Sequence, residues 1–141
     1  MSYRLELEID AVPQLDRAIS KRHWSAEARM RRQWRELVVC AVGRRAPSKA
    51  LKRASVVIDC WRKGREPDPG NLIHSMKPVI DGLLPVKRYM RGKRLVVQAG
   101  AGVLKDDAAA SFVGGCYVVR WHHAAKGQRE RLRIVVEESA P

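Results

Sequence analysis

From Arg4 to Ile9 apolar and charged residues alternate, with Leu5, Leu7 and Ile9 on one side and Arg4, Glu6 and Glu8 on the other. A period of two predicts a strand with one buried face. Between Val12-Pro13 and Lys21 no period holds, and the segment reads as a loop. The spacing then changes. Met30, Trp34, Leu37, Val38, Ala41 and Val42 recur at helical intervals, while Arg29, Arg31, Arg32, Arg35 and Glu36 fill the positions between them. This predicts an amphipathic helix with a basic outer face. Ser25 suits its N-cap and Glu27 its first turn, and Gly43 suits its end.

The basic run RRAPSKALKR reads as a loop, and SVVIDCW, residues 55–61, as a strand rich in β-branched residues. After the Gly/Pro turn cluster RKGREPDPG, residues 71–84 read as a second helix with Leu72, Met76, Val79 and Leu83 on one face. Pro78 either kinks this helix or starts its second half. LPVKRYMRGKRLVVQAGAG is a basic, glycine-containing insertion with the pattern of a hairpin, and FVGGCYVVRW and LRIVVEE are two further strands. The connection HHAAKGQRER between them has the residues of a hairpin loop. The order strand, helix, strand, helix, strands predicts a single α/β domain over residues 1–141, a two-layer mixed β-sheet with helices packed on one face. A chain of 141 residues is long enough to bury a core of that kind.

Charge narrows the choice of partner. The chain has 28 Lys and Arg against 15 Asp and Glu, a net +13. A surplus of that size repels itself in a compact state, and a polyanion, nucleic acid first, relieves the repulsion by counterion release. Four arginines in seven helical residues favour phosphate contact, with Arg31, Arg32 and Arg35 foremost. Arg65 in the turn cluster, and Lys87, Arg88, Arg91 and Lys93 in the insertion, extend the set. An acidic membrane surface would use the same charge, but no apolar run is long enough to span a bilayer and no lipidation signal is present. The alternating, charged amino terminus is unlike a secretory leader, so a cytoplasmic protein is expected. Cys40, Cys60 and Cys116 each lie in an apolar run, which predicts buried free thiols, and none has zinc-ligand spacing. His122 and His123 read as strand-end residues beside a turn.

Asp68 follows a strand and opens a helix, and Asp106-Asp107 form an acidic corner in AGVLKDDAAAS. Carboxylates near a phosphate partner repel it unless a hard cation bridges them. Mg²⁺ takes one or two carboxylates plus phosphate oxygens and water, polarises the phosphoryl group and activates a bound water. Lys77 shares a helical face with His74 and Asp81, at spacings of three and four, and is placed to counter charge developing on phosphorus. Each acid also has a plainer reading: Asp68 as a turn or cap acid, Asp81 as an ion-pair partner of Lys77, and Asp106-Asp107 as a polar turn.

PDPGNLIHSMKPVIDGL followed by GVLKDD resembles the RusA-type Holliday junction resolvases, an endonuclease family common in phages and prophages. The family pattern is an Asp-x-Asp-Asn-Leu turn, a helix with a Lys and then Asp-Ala/Gly-Leu, and a Gly-x-x-x-Asp-Asp corner. Asp68, Asn71-Leu72, Lys77, Asp81-Gly82-Leu83 and Gly102 to Asp107 match it in order, and HWSAEARMRRQW resembles the start of the family's long amino-terminal helix. The resemblance implies a homodimeric, Mg²⁺-dependent endodeoxyribonuclease, with Mn²⁺ as a substitute, that resolves four-way DNA junctions by paired symmetric nicks during recombination and repair. It implies Asp68 and Asp107 as metal-holding catalytic acids with Asp106 beside them, Lys77 as the phosphate-facing lysine, and Asn71 and Asp81 in support. Two departures stand out. Gly70 occupies the position of the family's second turn aspartate, where water, Glu66 or a backbone carbonyl would have to substitute. The insertion before the acidic corner is the other. A DNA-binding protein of the same fold with weakened catalysis is the alternative, and an RNA- or ribosome-associated protein would account for the charge but not for the acidic motifs.

Overall fold

The computed structural model describes residues 2–13 and 24–140. Its strands are β1 (Arg4–Ile9), β2 (Ala54–Arg62), β3 (Lys87–Arg91), β4 (Arg94–Gln98), β5 (Val118–His123) and β6 (Arg131–Glu138). Its helices are α1 (Trp24–Val42), α2 (Pro69–Ser75) and α3 (Lys77–Leu83). The loop expected up to Lys21 falls, from Gln14 onward, outside the described residues.

Four strands form a mixed sheet in the order β1-β6-β2-β5, with β2 antiparallel to β6 and parallel to β5, and β1 antiparallel to β6. Register turns the alternation in each strand into rows across the sheet. Leu7, Ile134, Ile58 and Val119 are cross-strand partners, as are Ile9, Leu132, Cys60 and Trp121. These rows make the inner face and join Trp34, Val38 and Val42 of α1 and Met76, Val79, Ile80 and Leu83 of the α2–α3 segment in one buried cluster. The fold is thus mixed α/β, with its core between sheet and helices. The outer rows are polar and aromatic, and pair Glu8, Arg133, Asp59 and Arg120 across the same four strands.

Several expectations are corrected. β5 and β6 are both strands, but they are not a hairpin: β2 lies between them. The 124–130 connection arches over the end of β2, where Ala124 N–H donates to Arg62 O at 3.0 Å and Lys63 N–H to Glu130 Oε2 at 3.0 Å. A hairpin loop and such an arch have the same polar, glycine-containing composition, because both turn the chain back at a sheet end. Ser25 lies inside α1, which already includes Trp24; helix ends commonly shift by a residue or two from their sequence signals. Leu37, expected on the buried face, is 43% exposed. The buried stripe follows the i+4 row Trp34, Val38, Val42, and Leu37 falls off its edge. Of the cysteines only Cys60 is buried, and burial pushes its thiol up to about 11. Cys40 and Cys116 are exposed, the first on the outer side of α1 and the second in the loop before β5, so an apolar neighbourhood in sequence did not carry over into space.

The second helix divides at Met76. Its backbone (φ −88, ψ −3) ends α2 and precedes α3, and Pro78, which has no N–H to give, sits in the first turn of α3. Pro78 therefore starts the second half. Gly82 explains why α3 lies so close to α1: a Cβ there would stand 2.6 Å from Val38 Cβ. Only a residue without a side chain permits that approach.

Candidate functional site

α3 turns Leu83 and Gly82 inward, and the helical period then brings Lys77 and Asp81, one turn apart, to the opposite side. Lys77 Nζ lies 3.1 Å from Asp81 Oδ1. The corner after the buried Val103 and Leu104 brings Asp107 to the same ammonium, and Lys77 Nζ donates to Asp107 Oδ2. This corner is pinned on two sides. Val103 and Leu104 N–H donate to Leu83 O at 2.9 and 3.0 Å, and Leu51 exchanges backbone bonds with Val103 and Lys105. Two motifs distant in sequence, with Lys77 and Asp107 30 residues apart, thus meet at one lysine.

Burial pulls the Lys77 pKa down, but hydrogen bonds to Asp107 and Asp81 outweigh it and hold the ammonium above its ordinary value. The same bond from Lys77, opposed by partial burial, keeps the Asp107 carboxyl below its usual range, and Lys87 adds to the effect. Tyr117, which sequence reasoning passed over, closes the far side. Its hydroxyl donates to Ile73 O at 2.8 Å, and burial pushes it up to about 12, so it stays a neutral donor. The signal for it was slight: one tyrosine at the start of an apolar strand.

Asp106 has a different environment from its neighbour. Its Oδ1 accepts from Ser111 Oγ and, at 3.0 Å, from Ala108 N–H, and these bonds lower its pKa. That is an Asp-led turn holding the 106–111 loop. Asp68 caps α2 and is exposed, and its carbonyl accepts from Leu72 N–H at 2.9 Å. It stands at the opposite end of α2 from Lys77, and a helix of seven residues is about 10 Å long. Asn71 is exposed in the first turn of α2. Gly70 has open space, and the nearest atom to a Cβ there would be Asp68 Oδ2 at 4.0 Å.

The basic residues separate into two groups. Arg31, Arg35 and Lys87 line one cleft of about 260 Å³ together with Asp81, Gln98 and the Leu84-Pro85 backbone turn. Arg31 is engaged by Glu27 at 2.8 Å, whereas Arg35 Nε is buried without a hydrogen-bond partner among the described residues. Arg32, Arg65, Arg88, Arg91 and Lys93 are exposed elsewhere, on the outer side of α1, in the 63–68 turn and on the β3–β4 hairpin.

Mg²⁺ asks for one or two carboxylates with room for phosphate and water. Asp81 and Asp107 converge from two elements on one cationic point, and the Asp107 side chain is 44% exposed. That donor set fits a carboxylate pair around a hard cation. Among the described residues no three His, Cys, Asp or Glu side chains gather as a ligand group. No described helix is long and apolar enough to cross a membrane. The chain matches no protein-family model and no curated protein.

A second polar cluster lies on the outer face of the sheet. Asp59, buried on β2, accepts from Arg120 Nε and Nη2 at 2.8 and 2.9 Å and from His122 Nε2 at 2.8 Å. Because an ionised carboxylate only accepts, His122 Nε2 carries the hydrogen. Trp61 stacks on His122 with centroids 4.7 Å apart, and the Arg131 guanidinium lies 4.2 Å from the Trp61 ring centre. His122 and His123 are indeed the last residues of β5.

Proposed function

We propose that the chain is a Mg²⁺-dependent endodeoxyribonuclease that nicks branched DNA, four-way junctions foremost, and works as a homodimer whose two sites address opposite strands. What supports this reading above all is the meeting of Asp81 and Asp107 at Lys77, beside a cleft whose Arg35 Nε lacks a partner. A phosphodiester is the ligand that satisfies both halves: its oxygens take hydrogen bonds from Arg35 and Lys87, and the carboxylates beside it require a cation.

Asp107 and Asp81 would hold Mg²⁺, and Asp68, at the other end of α2, stands outside this pair. The metal, when bound, supplies a polarised phosphoryl oxygen and an activated water. The protein does the rest. Arg35 and Lys87 hold the phosphates flanking the scissile bond, the backbone bonds from Leu83 and Leu51 fix the corner that presents Asp107, and Tyr117 ties its own loop to α2. Lys77 then shifts its hydrogen bonds from the carboxylates toward the phosphate, where negative charge develops in the transition state.

The test is incubation of a synthetic four-way junction with the full chain and Mg²⁺, resolved by denaturing electrophoresis. Paired, metal-dependent nicks are expected. Tight junction binding with no cleavage in Mg²⁺ or Mn²⁺ sinks the nuclease reading.

One observation favours a second reading, a branched-DNA-binding protein of weakened catalysis. Lys77 already bonds both carboxylates of the pair, and Gly70 contributes no ligand. Gly70→Asp separates the two. Since a side chain at 70 has room and meets Asp68 first, an aspartate there makes a carboxylate pair with Asp68, and it is expected to add Mg²⁺ binding and raise cleavage in the nuclease. A pure DNA-binding protein gains neither and loses DNA affinity through the added negative charge.

A further inference from the structure

The β3–β4 hairpin is a strand pair whose apolar side stands exposed among the described residues. Register sets Lys87 opposite Gln98, Tyr89 opposite Val96 and Arg91 opposite Arg94, which form one face. The other face holds Arg88 opposite Val97 and Met90 opposite Leu95. Met90, Leu95 and Val97 are 60%, 59% and 54% exposed, and the two strands pack chiefly on each other. An isolated two-stranded hairpin is at best marginal in water, so an apolar face of this kind signals a partner.

The hairpin is nonetheless held firmly at both ends. Arg91 and Arg94 flank a two-residue loop that starts with Gly92 at φ +63, the pattern of a type II′ turn, whose twist matches the strands. At the root, Ala101 N–H donates to Gly82 O at 2.8 Å and Gly102 N–H to Leu84 O at 3.1 Å. A Cβ on Gly100 would lie 2.1 Å from Leu84 O, so the returning strand passes directly over the outgoing chain. The ribbon therefore projects at a fixed place, one helical turn beyond Asp81.

Charge selects the partner. Residues 85–101 contain Lys87, Arg88, Arg91, Lys93 and Arg94 and no acid. A second copy of a +13 chain would set ten cations against one another, two sets of five, whereas DNA neutralises them. A two-stranded ribbon fits the major groove, and apolar side chains inserted between base steps kink and unstack a duplex. We propose that this hairpin is a branch-point wedge: its basic face lies on phosphates while Met90 and Leu95 enter between bases where the strands part. The assignment rests on the branched-DNA reading above and names the element that gives it selectivity.

The probe is a four-way junction carrying 2-aminopurine at the branch point, alongside a linear duplex of the same sequence. The full chain is expected to raise the fluorescence of the junction. Met90→Ser with Leu95→Ser, both exposed and therefore compatible with folding, should abolish the rise and lower the junction-to-duplex affinity ratio by about tenfold. Met90→Leu should retain the rise. If the double serine variant keeps both the rise and the ratio, the wedge is wrong. It is equally wrong if sedimentation shows that variant shifting from dimer to monomer with the rise unchanged, which would give the face to a second copy. Failure of the underlying reading looks different: a parent protein that raises the fluorescence but never cuts in Mg²⁺ keeps the wedge and loses the nuclease. A parent that cuts without the rise keeps the nuclease and loses the wedge.

Discussion

Asp59 and Lys77 each sit at the centre of an ion-pair cluster, with opposite charge balance. At Asp59 one buried anion meets an arginine and a histidine, and three hydrogen bonds occupy both of its oxygens. At Lys77 one cation meets two carboxylates, which leaves a surplus negative charge beside a basic cleft. The first arrangement is closed: burial raises the Asp59 carboxyl, but Arg120 and His122 more than reverse this, and both oxygens already accept bonds from them. The second is unbalanced, because one lysine faces two partly exposed carboxylates, and the proposed metal reading rests on that imbalance. Burial with full satisfaction marks a structural ion pair, and exposure with unbalanced charge marks a site for binding.

The largest expected effect tests that distinction directly. Asp107→Asn should reduce junction cleavage by more than the about 10- to 100-fold that substitutions outside the ligand shell commonly cost, with junction binding retained. Asp59→Asn, treated identically, should cut at the parental rate. If both variants lose cleavage equally while remaining folded, the comparison fails and Asp59 belongs to the chemistry.

Stability should reverse the order of the two positions. Asp59→Asn loses charge-assisted bonds at a buried site, a cost of about 1–3 kcal/mol, tempered because Arg120 is 60% exposed and can turn to water. Urea unfolding should show this as a lower midpoint at unchanged slope. Asp107→Asn should cost less, since its side chain is more exposed. The pH dependence has a definite sign. Asp59 and Asp107 both have depressed folded-state values, so their stabilisation is present above the usual carboxylate range and is lost as pH falls through the folded-state value, below about 4. Lys77 is raised, so its share is present below the ordinary lysine value and fades only as pH rises past it. Asp59→Asn should therefore flatten the acid limb of stability and leave the alkaline limb alone.

Much of this contrast was legible in sequence, and the rest was not for identifiable reasons. Lys77 and Asp81 could be paired from i+4 spacing, and the β3–β4 hairpin from its basic, glycine-centred pattern, because both are local. Asp59 carried one usable sign, a carboxylate inside the strand SVVIDCW, but its partners lie 61 and 63 residues away. They meet it only because β5 pairs in parallel with β2, and strand order depends on non-local contacts that periodicity does not encode. The same gap produced the mistaken β5–β6 hairpin. Asp106 and Asp107 are adjacent in sequence and differ in role because Ser111 and Ala108 N–H hold one while Lys77 holds the other. Leu37 shows the limit of helical period alone: which edge of the stripe is covered was decided by Gly82 letting α3 approach at Val38.

The smallest predicted effect asks whether the open cluster recruits its ligand through the neighbouring cleft. Each phosphate contact contributes about 0.9 to the slope of log affinity against log salt for duplex DNA. Arg35, whose Nε has no partner among the described residues, should contribute one such contact. Arg35→Ala should then lower that slope by about 1 and weaken binding to all sequences alike. Arg120→Ala removes the same charge from the closed cluster, where the guanidinium is already held by Asp59, and should leave the slope nearly unchanged. Equal changes in the two variants would mean that DNA contacts the outer sheet face as well as the cleft, and that charge balance alone does not separate the structural cluster from the binding one.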